Sequence, residues 1–235
     1  MRMGVGMTGI QQATKQQISW LDETYTALRD FDKRYSQLHG LQPSIKLTTV
    51  KPSGTLSLLP GVTPGIHPGY AQYMYRRIRI AAEHPLVATC KAHGYPTEYA
   101  LNTDGTNDYG TVVVTFPFAY PEGTRLAKDM SAIDQLQDIR KLQEIWSDNS
   151  VSCTVYYKLE ELPAIRKYLA EHYKSNHKTL SFLLHSGHGF VQAPYEEITK
   201  DQYDALVAVT TPITAISSAV FEGADECAGG MCPIK

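Results

Sequence analysis

The chain has 235 residues, of which 43% are apolar and 20% are charged, a composition typical of an ordinary globular protein. Its formal net charge of −2 argues against a nucleic-acid surface or a basic membrane-binding patch. It contains no run of 18 apolar residues, no apolar signal segment at the N-terminus and only four cysteines. We therefore expect a cytoplasmic protein with no nucleic-acid partner, no membrane partner and no disulfide scaffold.

The first third of the chain predicts a helix, a strand and a long loop. Apolar residues at spacings of three and four predict a helix over 14–39, and Thr14 with Gln17 has the form of a capping box. The alternating, β-branched segment 44–50 predicts a strand. The Gly- and Pro-rich segment 51–70 predicts a loop, and loops of that length are usually functional or disordered.

Helices and strands are predicted to alternate through the rest of the chain. A helical stretch is predicted from about 70 to 93 with an interruption at Pro85, and 97–110 is interpreted as a polar excursion. The remaining predicted elements are a strand over 111–118, a helix over 131–146, a strand over 149–157, a helix over 161–173 and a strand over 179–184. A final helix, capped by Thr199 with Gln202, is predicted to run to about Val209. This alternation favours parallel βα units, with no domain boundary before Pro212. After Pro212 the residues are small, and we expect a flexible tail.

Cys227 and Cys232, close to the last residue, form the first candidate site. The two glycines between them let the chain turn tightly enough for a disulfide. The alternatives are two incidental thiols or half of a zinc site, which needs four ligands, whereas Cys90 and Cys153 are isolated in a helix and a strand. The spacing favours a redox pair on a tail that would reach about 50 Å when extended.

The loop that follows the strand 44–50 is the second candidate site. It reads Lys-Pro-Ser-Gly-Thr over 51–55, where the glycine would let backbone amides approach an anion and the hydroxyls would add donors. The loop is not a Walker A motif, and such a segment alone is most often a turn. The residues by themselves therefore leave both phosphate binding and a plain turn open.

Three histidines form the third candidate group. His185 and His188 lie three residues apart after the last predicted strand, a spacing that could bind a metal but more often belongs to a polar loop. His67, inside the long loop, has the same ambiguity. The motif that marks base-off cobalamin binding, an aspartate two residues before a histidine followed by x-x-Gly, is missing, and we predict no metal site.

Five segments in this order resemble the C-terminal part of a known family, the adenosylcobalamin-dependent (class II), monomeric ribonucleoside-triphosphate reductases. They are RMGVGMTG at 2–9, VKPSGTLSLLPGVTPGIHPGY at 50–70, DNSVSCTVYY at 148–157, KTLSFLL at 178–184 and ECAGGMCPIK at 226–235. The resemblance implies an α/β fold that forms part of a ten-stranded α/β barrel. Residues 1–212 would belong to the second half-barrel, and 213–235 would be a flexible redox tail.

The resemblance also implies functional residues and partners. A ribonucleoside triphosphate would be reduced to the 2′-deoxyribonucleotide by thiyl-radical chemistry, and its phosphates would be bound by Pro52, Ser53, Gly54 and Thr55. Cys227 and Cys232 would pass electrons from thioredoxin to the active site. Adenosylcobalamin would be the cofactor, facing 61–70 and 181–195, and its candidate contacts are His67, His185 and His188.

Two departures from related patterns refine this expectation. Ser181 and Phe182 stand where the di-iron-dependent reductases have two radical-relaying tyrosines, so the radical should be made locally, as cobalamin does. The family's Asn-Pro-Cys-x-Glu loop with the radical cysteine is missing, so we expect the chain to need an N-terminal complement. The alternatives are a non-catalytic nucleotide-binding remnant or regulatory module, and a stand-alone thiol–disulfide protein, which ranks last because CxxC at a βα junction is absent.

Overall fold

The computed structural model describes residues 1–175, 177–185 and 191–214. The chain divides into two compact units, one formed by 1–72 with 120–185 and the other by 73–119 with 191–214. His188, Cys227 and Cys232 lie outside the described residues. The boundary predicted at residue 212 stays a prediction.

The described part of the chain contains strands and helices interspersed along the sequence. In chain order they are β1 (Arg2–Val5), α1 (Lys15–Ser19), α2 (Leu21–Leu38), β2 (Lys46–Thr48), β3 (Tyr73–Ala81), α3 (Pro85–Ala92), β4 (Thr97–Leu101), β5 (Asn107–Ala119), α4 (Ala132–Ile145), β6 (Thr154–Tyr157), α5 (Leu162–His172), β7 (Ser181–Leu184), β8 (Tyr195–Glu197) and α6 (Lys200–Val209). The predicted helix over 14–39 is two consecutive helices, α1 and α2, which meet at Trp20.

The first unit is built on parallel strands, as the βα alternation predicts. β1 pairs with β2, and β6 pairs with β7, both in parallel. A single parallel bridge between Val50 and Val151 joins the chain after β2 to the chain before β6. The core lies where α4 and α5 pack on this sheet, and its fully buried members include Val50, Leu136, Ile139, Leu142, Val151 and Val155.

Capping boxes fix the start of several helices. The predicted boxes at Thr14 with Gln17 and at Thr199 with Gln202 are both formed, with the hydroxyl accepting from the N3 amide and the Gln side chain accepting from the cap amide. α4 begins in the same way at Ser131. Short polar motifs therefore locate these helix starts correctly from sequence.

The second unit contradicts three expectations, one of which is that its strands would be parallel. The first half of the helix predicted over 70–93 is wrong, because β3 occupies Tyr73–Ala81 and only α3, which starts at Pro85, is helical. The segment 97–110 is not a polar excursion, since it contains β4 and the start of β5. The sheet is antiparallel in the order β4-β5-β3-β8, and α3 covers one of its faces. The physical reason is that the β-branched strand β5 supplies a long partner for both neighbours.

Candidate functional site

The predicted phosphate loop leaves the parallel sheet directly after Val50. Residues 51, 52, 54 and 55 are exposed, and the turn is closed by the Ser57 amide, which donates to the Ser53 carbonyl at 3.0 Å. Among the described residues, none accepts a hydrogen bond from the amide N–H of Ser53, Gly54 or Thr55. The loop therefore contains three backbone donors and two hydroxyls with no partner among the described residues, at the carboxyl end of a parallel strand, where open α/β sheets bind ligands.

The backbone of this loop is held in an unusual conformation. Ser53 has a φ of 56°, which lies in the left-handed region that a non-glycine residue enters at a cost of about 1 kcal/mol or more. Gly65, with a φ of 58°, packs so closely that a Cβ built on it would lie 2.1 Å from the Lys51 carbonyl oxygen. The second half of the long loop, 61–70, therefore supports the first half by direct backbone contact.

The chain that carries Val50 stays beside the chain before β6 only as far as Val151. Beyond that point side chains, and not a neighbouring strand, bond this edge of β6. The Ser152 amide still donates to the Val50 carbonyl at 2.9 Å. Farther along, the Thr154 amide donates to Nε2 of His67 at 3.0 Å. The Gln135 side chain accepts from the Tyr156 amide at 3.0 Å and donates to the Tyr156 carbonyl at 2.9 Å. Two side chains thus satisfy backbone groups that a neighbouring strand would otherwise bond.

His67 has both ring nitrogens engaged within the chain. Nε2 accepts from the Thr154 amide, so the proton of the neutral ring is on Nδ1, which donates to the Pro64 carbonyl at 3.1 Å. Burial lowers the pKa of His67 below its ordinary value, although the bond to Pro64 opposes the shift. Its role as a cofactor contact stays a prediction, and such a contact would use the ring face or carbon edge.

His185 lies at the carboxyl end of β7, as the sequence predicts, and is exposed. Its amide donates to the Tyr157 carbonyl at 2.8 Å, and its ring stands perpendicular to that of Tyr156 with centroids 6.4 Å apart. Ser181 and Phe182 lie in β7, and the Phe182 ring meets that of Tyr157 edge-on at 6.3 Å. Within the described ranges, no group of three His, Cys, Asp or Glu side chains is placed to hold a metal ion.

The loop after β1 contacts the long loop 51–70, although the sequence predicted no role for it. The Gly9 amide donates to the Thr63 carbonyl at 2.8 Å, and the Gly65 amide donates to the Thr8 hydroxyl at 2.9 Å. A cleft of about 440 Å³ opens beside this contact, lined by Met7, Thr8, Gly9, Ile10, Gln12, Ala13, Gln17, Ile18, Leu21 and Val62. The only sequence signal was the segment RMGVGMTG, whose glycines allow the close approach.

A polar turn at 148–150 ties four parallel segments together. The Asp148 carboxylate accepts from the Leu47 amide and from Arg29, each at 2.8 Å. The Asn149 side-chain amide donates to the Thr48 and Met3 carbonyls, and the Ser150 hydroxyl lies 2.7 Å from that of Thr179. This turn stabilises the strands from which the loop 51–55 departs.

The environment of Asp148 keeps its carboxylate ionised. Burial pushes the pKa of Asp148 upward, but hydrogen bonds from the Leu47 amide and Tyr25, together with the charge of Arg29, outweigh it and hold the pKa below its usual range.

The two described cysteines are buried free thiols. Burial, with a smaller contribution from Asp138, raises the pKa of Cys153 to about 12, and burial also raises the pKa of Cys90. A thiol with so high a pKa is a poor nucleophile at neutral pH. Neither residue has the environment of a redox-active cysteine.

No helix in the described part of the chain is long and apolar enough to cross a membrane.

Comparisons with known proteins agree with this geometry. The family model described as ribonucleotide reductase, barrel domain, matches residues 2–183. The adenosylcobalamin-dependent ribonucleoside-triphosphate reductase of Lactobacillus acidophilus is 36% identical over 93% of this chain, and that of Euglena gracilis is 34% identical over 93%. A crystal structure of a B-12-dependent (class II) ribonucleotide reductase superimposes with a TM-score of 0.81 and 30% identity over 95% of this chain.

The chain is short beside these relatives. It spans 30% of the length of each of the two reductases and 35% of the solved chain. The match therefore covers nearly all of this chain but only about a third of the proteins that it resembles.

Proposed function

The chain belongs to the ribonucleotide reductase barrel-domain family, and on that premise we propose that it is the C-terminal portion of an adenosylcobalamin-dependent reductase. The enzyme would convert ribonucleoside triphosphates to 2′-deoxyribonucleoside triphosphates by thiyl-radical chemistry. The observation that carries the proposal is the loop 51–55, whose amides and hydroxyls at positions 53–55 have no partner among the described residues and lie at the end of a parallel strand in a fold of this family.

The substrate phosphates are assigned to this loop. The amides of Ser53, Gly54 and Thr55 would donate to phosphate oxygens, and the two hydroxyls would add further donors. Lys51 is exposed at the start of the loop and supplies a positive charge. Because the left-handed φ of Ser53 is already formed, the amides need little rearrangement on binding.

Adenosylcobalamin, when bound, would supply the radical locally. We assign one contact to His185, which is exposed at the end of β7 beside Tyr156. His67 would contribute only its ring surface, since both nitrogens are bonded. His188, which is outside the described residues, remains a candidate by its position in the sequence.

Reducing equivalents would come through Cys227 and Cys232. Reduction of one ribose 2′ position consumes two electrons, which a cysteine pair in the active site supplies as it becomes a disulfide. The tail pair would reduce that disulfide by thiol–disulfide exchange and would then be reduced by thioredoxin. Since Cys90 and Cys153 are buried with raised pKa values, they do not compete for this role.

The radical cysteine itself would come from an N-terminal complement, because no Asn-Pro-Cys-x-Glu segment occurs in this chain. The proposal is tested by a tagged pull-down from the native host with mass spectrometry of the co-purifying chains. A companion that carries the missing loop, together with reduction of a ribonucleoside triphosphate when the two are combined with adenosylcobalamin and a dithiol, would support it. Recovery of the chain without such a companion, but with tight nucleotide binding, would favour the regulatory module instead.

A further inference from the structure

We infer that His67 is a positioning residue, whose neutral ring holds the phosphate loop in place by replacing a missing strand neighbour of β6. The inference rests on the proposed function only in calling the loop 51–55 a phosphate loop. Its structural content, a histidine bridge between a loop and a strand edge, stands on the contacts alone.

The first step is the gap that the ring fills. The chain after β2 pairs with the chain before β6 as far as Val50 and Val151, and then turns away into the loop. The Thr154 amide would consequently lose its partner on that side of the sheet. An amide left without a partner inside the sheet is destabilising, and the Nε2 acceptor of His67 bonds the amide that the departing chain leaves open.

The second step links the ring to the phosphate loop. Nδ1 donates to the Pro64 carbonyl, and the His67 amide donates to the same oxygen at 2.9 Å. These two bonds fix a tight turn that places Gly65 against the Lys51 carbonyl. The path from Thr154 through His67 and Gly65 to Lys51 is thus continuous, and a shift of the ring moves the support of the loop.

The third step is the protonation state. Only the neutral ring with its proton on Nδ1 can accept from Thr154 and donate to Pro64 at once. A second proton on the ring would turn Nε2 into a donor that faces the Thr154 N–H, and the hydrogen bond between them would break. Burial acts in the same direction, since it favours the neutral ring and lowers its pKa.

The test compares two substitutions at this position in the full 235-residue chain. In His67→Gln the side-chain oxygen takes the place of Nε2 and has no proton to gain, and the backbone amide at position 67 still donates to the Pro64 carbonyl although the Nδ1 bond is lost. In His67→Phe the ring keeps its size but loses both side-chain bonds. His39→Phe, at an exposed ring next to the end of α2, is the matched control. The readout is the hydrogen-exchange protection factor of the Thr154 amide and of the Ser57 amide inside the loop.

At pH 7.5 we expect His67→Phe to lower both protection factors by about tenfold or more, while His67→Gln and His39→Phe stay within about twofold of the parent. As the pH falls below 6.5, the parent should lose protection at Thr154 and His67→Gln should keep it. Unchanged protection in His67→Phe, or equal loss in His67→Gln, would overturn the inference. Should His67→Phe fail to fold, the pH profiles of the parent and of His67→Gln decide alone.

A second measurement separates this inference from the proposed function. Inorganic triphosphate is titrated against the same variants, and the exchange of peptides covering 51–59 is followed. Weaker protection by triphosphate in His67→Phe, recovered in His67→Gln, is expected. If triphosphate protects none of them while Thr154 and Ser57 respond as above, the positioning role stands and the assignment of the loop to phosphate is wrong.

Discussion

Single glycines decide how closely the two halves of the long loop approach. Gly65 and Gly61 both have a positive φ, of 58° and 67°, but they differ in surroundings. A Cβ on Gly65 would meet the Lys51 carbonyl, whereas one on Gly61 would meet nothing within 4 Å. Substitutions at these two glycines therefore separate the effect of the Lys51 contact from the effect of the positive φ.

We predict that Gly65→Ala displaces the phosphate loop and abolishes protection of 51–59 by triphosphate. Gly61→Ala should cost only about 1 kcal/mol of unfolding free energy and leave that protection intact. Urea denaturation and hydrogen exchange measure the two effects. Equal behaviour of the two variants would mean that the approach of Gly65 to Lys51 is unimportant.

The cysteines are expected to divide into two reactive classes. At pH 8 Cys153, with a pKa of about 12, carries a thiolate fraction of roughly 1 in 10,000 and should resist a thiol reagent such as dithionitrobenzoate, as should the buried Cys90. After reduction, two thiols should react rapidly in the folded chain and all four after denaturation. Rapid labelling that persists in the double variant Cys227→Ser, Cys232→Ser would contradict this assignment.

Individual elements of the first unit are joined by buried polar side chains as well as by apolar contacts. His177 lies beside Tyr168 of α5, whose hydroxyl donates to the Leu136 carbonyl and lies 3.2 Å from Nε2 of His177. The proton of the neutral ring is therefore on Nε2, and Nδ1 is buried without a partner among the described residues. Burial lowers the pKa of His177, as do the charges of Arg140 and His172, while Glu144 opposes the shift.

This arrangement predicts a pH dependence of stability. A histidine whose pKa is lowered on folding binds protons more readily in the unfolded chain, so stability is present above the ordinary value of 6.5 and is lost as the pH falls through it. The urea midpoint should fall between pH 7.5 and pH 5.5, and His177→Phe should reduce that fall. Since the pKa of His67 is also lowered on folding, part of the fall in the urea midpoint should remain in His177→Phe. If the midpoint of His177→Phe fell as far as that of the parent, the role of His177 would be refuted.

The elements differ in how well the sequence predicts them, and the reason is the range of the contacts involved. Capping boxes such as Thr199 with Gln202 act over three residues and were predicted, as was the loop that follows Val50. The sequence predicts a helix at β3 because its charged and apolar residues fit neither the period of two of a strand nor the period of 3.6 of a helix. Only its pairing with β5 makes it a strand. The bond between His67 and Thr154 joins residues 87 positions apart, and no local sequence pattern predicts it.

Among the described residues of the first unit, no further strand pairs with β1 or β7, the two outer strands of the parallel sheet. All four residues of β1 are exposed, and β7 exposes Phe182 and Leu183. Parallel sheets are normally covered on both faces, and open strand edges pair with other chains. This geometry suits a polypeptide that completes its sheet with further strands.

We predict that the isolated chain self-associates and that a complementary N-terminal polypeptide of the family disperses it. Size-exclusion chromatography with light scattering, with and without co-expression of that polypeptide, measures the effect. A matched substitution of Phe182 and Leu183 by Ser should reduce self-association if β7 is the edge concerned. A monodisperse, cooperatively melting monomer would show that the edges need no partner.

On the proposed function, the loop 51–55 binds the phosphates of a ribonucleoside triphosphate. The most direct measurement is hydrogen exchange of the chain with and without ribonucleoside triphosphate, with inorganic triphosphate in parallel. We predict that both ligands protect residues 51–59 from exchange in a saturable way. This protection should be lost in Gly65→Ala and kept in Gly61→Ala. Protection confined to other segments, such as 191–214, or no protection of the loop at saturating ligand in a chain whose remaining exchange is native-like, would contradict it.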